Sequence, residues 1–151
     1  MKKYTLFSLI ICLILGGCYT TSQSVSTPTA KPEVIINSTD IGKIKSAVIN
    51  YYMDMDYSII SESDYSMVFS TAEEPFGTAA YKALTGEYNS TSRQTIRISI
   101  ATVSNSTRML AKANFIIKNE NGREDVKDVS NDWADLLLKQ LQTIKAQAEK
   151  L

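Results

Sequence analysis

The stretch Arg93–Lys118, RQTIRISIATVSNSTRMLAKANFIIK, decides the fold. In its first half Ile96, Ile98 and Ile100 alternate with Arg97 and Ser99. In its second half Met109, Ala111, Ala113, Phe115 and Ile117 alternate with Lys112, Asn114 and Lys118. A period of two sends one set of side chains to a buried face and the other to water. Ser104-Asn105-Ser106-Thr107 between them reads as a turn. The stretch therefore predicts two long antiparallel strands, 93–103 and 108–118, with one buried and one mostly solvated side. Ala111 and Ala113 are small enough to let a helix come close to the sheet centre.

The flanks supply the rest. After Asn119-Glu120-Asn121-Gly122, a helix is predicted over 131–150, with Ser130 as its N-cap. Trp133, Leu137, Leu141, Ile144, Ala148 and Leu151 trace its apolar stripe. Asp132 and Asp135 near its start and Lys145 and Lys150 near its end suit the helix dipole. On the other side, two short strands are predicted at 57–61 and 65–70, joined by Glu62-Ser63-Asp64. Tyr65, Met67 and Phe69 of the second should face the core. Before them, Ile41, Ile44, Val48, Tyr51, Tyr52 and Met55 recur at helical steps, which predicts a helix over 40–54 capped by Asp40. Residues 71–92 are irregular, interrupted by Pro75, Gly77 and Gly86, with up to two helical turns over 78–84. The order α-β-β-β-β-α predicts an α+β fold: a four-stranded antiparallel sheet with two helices packed on one face.

The chain is 151 residues long with 16 basic and 16 acidic residues and no histidine. That length supports one domain. The balanced charge argues against nucleic acid as a partner, which demands a basic field. The absence of histidine removes the commonest general base and the commonest zinc ligand.

The first residues carry an address. Lys2 and Lys3 precede an apolar stretch, Tyr4–Leu15, too short to span a bilayer and normal for a signal peptide. It ends in Leu15-Gly16-Gly17-Cys18, which resembles the lipobox of bacterial lipoproteins. The resemblance implies a signal peptide over 1–17 and lipidation of Cys18, hence a membrane anchor. Tyr19 follows the cysteine where an Asp often retains Gram-negative lipoproteins in the inner membrane, which favours the outer membrane. Loss of residues 1–17 would remove Cys12 and both lysines and leave a slightly acidic chain. With Cys18 carrying lipid, no thiol would remain for a disulfide, a nucleophile or a metal. Residues 18–39, rich in Ser, Thr and Pro, read as a flexible tether of about 25 Å typical reach. The alternative for Val34-Ile35-Ile36 is a short edge strand. The domain proper is placed at 40–151.

The element order is similar to the helix-grip arrangement, in which a sheet curls around a C-terminal helix. It is distantly similar to domains of the lipoprotein subunit of the outer-membrane β-barrel assembly machinery. The run Asp56–Phe69, with its Tyr57, its Ser61-Glu62 turn, Tyr65 and terminal Phe69, resembles small uncharacterised proteobacterial lipoproteins. Tyr81, Tyr88 and Arg108 continue that pattern. Asp56 stands where those proteins usually have glycine. The resemblance implies no activity.

Chemistry is sparse. The acidic groups Asp54/Asp56, Glu62/Asp64, Glu73/Glu74 and Glu120/Glu124/Asp125/Asp128 sit in turn contexts, where both members of a pair would ionise rather than share acid and base roles. Asn119-x-Asn121-Gly122-x-Glu124 lacks the aspartates and the spaced glutamate of a calcium loop. No Gly-x-Ser-x-Gly occurs; a serine–lysine pair brought together by folding stays open. Phe76, Tyr81, Leu84 and Tyr88 either cap the core or form a contact surface, a role tyrosine suits. The expectation is therefore an envelope lipoprotein, anchored through Cys18 and facing the periplasm, without enzymatic activity, metal or cofactor. It would bind a protein partner through Phe76, Tyr81, Leu84 and Tyr88. The alternative is a carrier holding a small apolar ligand between helix and sheet.

Overall fold

The structure, a computed structural model, describes residues 31–75 and 90–150. The predicted hairpin is its centre. β5 (Thr91–Val103) and β6 (Ser106–Lys118) pair along their full lengths. The turn is tighter than expected: Val103 faces Ser106, so only Ser104 and Asn105 connect the strands. Ser104 has φ 54°, the left-handed conformation that short hairpin turns demand.

Among the described residues, five further strands join them in one antiparallel sheet. They are β1 (Glu33–Ile36), β2 (Ser58–Glu62), β3 (Ser66–Ser70), the two-residue β4 (Glu74–Pro75) and β7 (Glu124–Asp128). The main order is β1-β6-β5-β3-β2, with β4 added beside β5 and β7 beside β6. The α+β class stands, but the sheet is larger than the four strands expected. Residues 33–36, left open between tether and edge strand, are the edge strand β1, paired with Thr107–Leu110. The folded unit thus begins before residue 40. The expected signal segment 1–17, Cys18 and the expected tether up to residue 30 lie outside the described residues.

The register explains the core. Met67, Ile98 and Ala111 stand side by side across three strands, as do Phe69, Ile96 and Ala113. All six are buried. Two helices cover this face: α1 (Ile41–Met53) and α2 (Ala134–Ala148). They contact each other, and α2 also lies on β1 and β6, where Ala111 and Ala113 leave room. Leu137, Leu141 and Ile144 of α2 are buried at one-turn spacing, each stabilising by about 1.5–3 kcal/mol relative to exposure. Phe115 packs at the margin of the core rather than inside it, and Ile117 is only half-buried.

Asp40 caps α1 as expected, its Oδ1 accepting from the Lys43 amide at 3.1 Å. The helix stops through a Schellman turn. The Tyr57 amide donates to the Tyr52 carbonyl (3.0 Å) and the Asp56 amide to Met53 (3.1 Å), with Asp56 at φ 62°. Glycine is usual at such a position. Met55, expected in the core, falls in this turn and is exposed.

Ser130 does not cap α2. The helix begins later, at Ala134, after a turn. Ser130 is buried instead against the sheet. Its hydroxyl accepts from the Ala113 amide at 3.0 Å and lies 3.3 Å from the Ala113 carbonyl. It therefore stitches the chain to the middle of β6.

Candidate partner-binding edge

The sheet has two unlike edges. On the β6 side lie β1 and β7. In β7, Glu124-Asp125-Val126-Lys127-Asp128, four of five residues are charged, a composition that discourages further strand pairing. The ion pair of Glu33 with Arg108 spans β1 and β6.

On the other side β2, Ser58-Ile59-Ile60-Ser61-Glu62, is exposed throughout. It carries no lysine and no proline. The register slips between Ile59 and Ser61, so Ile60 bulges without a partner on β3 and is 58% exposed. Ile59 lies opposite Phe69, at the outer margin of the core face. Exposed Met53 and Met55 lie at the end of α1 before this strand, and Tyr65 follows it, 74% exposed. Tyr65 was expected beside Met67 and Phe69. It sits in the turn before β3 instead, its carbonyl accepting from the Ile100 amide at 2.8 Å.

This edge is held firmly. Ser63 and Ser66 close the hairpin through three bonds: amide to carbonyl (2.8 Å), hydroxyl to carbonyl (3.2 Å) and amide to hydroxyl (3.1 Å). Lys45 of α1 reaches Glu62 at 2.6 Å and the Ser63 carbonyl at 3.2 Å. That lysine reaches a serine residue, but through a backbone carbonyl, and its ammonium is ion-paired. Asp54, Asp56, Glu62 and Asp64 frame the strand at both ends, and among the described residues only Glu62 of the four takes part in an ion pair.

The tyrosines of α1 belong to the core. Tyr52 is fully buried and stacks on Phe69 at 4.6 Å, with Tyr57 edge-on at 5.6 Å. The Tyr52 hydroxyl donates to Gln140 (3.2 Å) and that of Tyr57 to Gln94 (3.1 Å). Burial pushes both phenols above the ordinary tyrosine range.

An open polar cleft of about 280 Å³ lies at the far end of the sheet, lined by Glu73, Thr91, Lys118, Asn119, Glu120 and Gly122. Arg93 bridges Glu73 (2.8 Å) and Glu124 (2.9 Å) beside it. These ion pairs tie β5 to β7 and to the segment just before β4. In the Asn119–Gly122 turn, Asn119 Oδ1 accepts from the Asn121 and Arg123 amides. The oxygen a calcium ion would need is thus already engaged.

The predicted contact residues Phe76, Tyr81, Leu84 and Tyr88 lie outside the described residues, as does Cys18. The sequence pattern marks Ile59 and Ile60 only as part of a strand, and it places Met55 and Tyr65 on the apolar faces of their elements. The available signal was a strand with Ile59-Ile60 adjacent and no charge until Glu62. No protein-family model matches the chain, and no curated protein matches it.

Proposed function

We propose that the chain is a lipoprotein of a bacterial cell envelope, held in the outer membrane through lipid on Cys18 and facing the periplasm. There it works as a non-enzymatic protein-binding or assembly accessory module. The observation that carries this reading is the exposed β2 edge, with Ile59 and Ile60 open to solvent, on an otherwise well-satisfied fold. The filled space between sheet and helices supports binding at the surface over carriage of a ligand: Tyr52, Phe69, Met67 and Met109 occupy it with no exposure. We further propose a helix-grip-like relationship, supported by the packing of α2 on β1 and β6. Kinship with small proteobacterial lipoproteins is supported by Asp56 adopting the left-handed conformation where they carry glycine. The segment holding Phe76, Tyr81, Leu84 and Tyr88 is retained as a second contact.

Two measurements test this. Cys18→Ser should move the chain from membranes to the soluble fraction; membrane retention of that variant ends the lipoprotein assignment. A photo-reactive residue at position 60 should cross-link an envelope protein, whereas one at Lys139, exposed on α2, should not. Equal labelling from both positions, or none from 60, removes β2 as the binding surface.

A further inference from the structure

We infer that β2 accepts, as an added strand, an extended segment of another protein with apolar residues at its centre and Lys or Arg at both ends. This rests on the protein-binding reading and names the occupant. Strand addition uses the free backbone groups of an open edge for affinity and side chains for selection. Here the selecting groups have a definite arrangement. Ile59 and Ile60 sit at the middle; Asp54 and Asp56 precede them, and Glu62 and Asp64 follow. Between residues 53 and 65 there is no basic residue, and Lys45 of α1 engages Glu62. A partner strand lying along this edge meets negative charge at each end and an apolar bulge between.

The same charges argue against a second copy of this chain. Antiparallel self-pairing along β2 would bring the Asp54/Asp56 end of one copy to the Glu62/Asp64 end of the other, twice by symmetry. Like charges brought together disfavour that pairing. Nor does the chain's own N-terminal stretch fit: residues 19–30 contain no Lys or Arg, and Lys31 enters at the opposite edge, ahead of β1.

The test uses the full chain in a nonionic detergent and two fluorescein-labelled peptides, KKVTVTVKK and EEVTVTVEE, followed by fluorescence anisotropy. The basic-flanked peptide should bind at least about tenfold more tightly at low salt. That advantage should vanish at about 0.5 M salt, where charges are screened within a few ångströms. Asp54→Asn with Asp64→Asn should shrink the preference, and Ile59→Ser with Ile60→Ser should weaken both peptides, with the circular dichroism of each variant unchanged. Equal binding of the two peptides overturns the charge selection while leaving protein binding intact. A dimer in sedimentation that dissociates on Ile60→Lys replaces the proposed partner with a second copy. If neither peptide binds, the strand-addition mode falls; cross-linking from position 60 then reports separately whether the protein-binding reading survives.

Discussion

Asp56 holds a backbone conformation that L-residues adopt at a cost of roughly 1–2 kcal/mol, which Asp and Asn bear better than most. Its amide and that of Tyr57 close α1, and Tyr57 lands on Tyr52. One residue thus links the helix stop to the aromatic core. Asp56→Gly should stabilise the fold by about 0.5–1 kcal/mol in urea unfolding, and Asp56→Val should destabilise it, since a β-branched residue tolerates positive φ poorly. Tyr52 makes a second test. Its phenol is raised by burial, so its contribution to stability is present below the unfolded pKa of about 10 and is lost as the pH climbs above that value. Tyr52→Phe keeps the stacking but leaves the buried Gln140 oxygen without its donor, at about 1–3 kcal/mol. The variant should be less stable at pH 7 and lose less of its stability between pH 9 and 11, as followed by unfolding at each pH.

Among the elements, Ser130 shows how a helix start is displaced. A serine ahead of Trp133-Ala134-Asp135 is a fair N-cap on local grounds. The competing demand is the sheet, where the Ala113 amide and carbonyl both lie within reach of the Ser130 hydroxyl. Ser130→Ala should cost about 1–3 kcal/mol by leaving the buried Ala113 amide unpaired, while the Ala113 carbonyl keeps the Val129 amide. Asp128 is held below the ordinary carboxylate range by hydrogen bonds from the Ser130 side chain and then its amide. Its contribution is present above the unfolded Asp value and fades as the pH falls through the lowered one. The alanine variant should therefore show a smaller loss on the acid side. The central hairpin and both helices were legible because burial writes a period into sequence, as at Ile96, Ile98 and Ile100. β7 was not, since a strand wet on both faces has no such period, and Glu124–Asp128 is held by backbone pairing to Asn114–Lys118. The β2 edge escaped for a different reason. Whether Ile59 and Ile60 are covered depends on the order of strands, which distant contacts decide.

At the scale of the molecule, the sheet carries unlike fates at its two sides. One side is closed by charged β7 and by β1, which α2 overlies; the other is left open at β2. The chain enters on the closed side, where the Pro32 carbonyl accepts from the Ala111 amide at 3.0 Å and β1 begins. Any pull arriving through the residues before Lys31 is therefore delivered to one side of the sheet, while a strand bound at β2 grips the other. The load would run crosswise through β6, β5 and β3, and β1, at four residues, is the shortest strand on that path. Peeled away under tension, residues 31–36 would lengthen the leash by roughly 20 Å at about 3.3–3.6 Å per residue. The same step would uncover Ile36, fully buried in the core, so tension from that side would be opposed by core packing as well as by strand pairing.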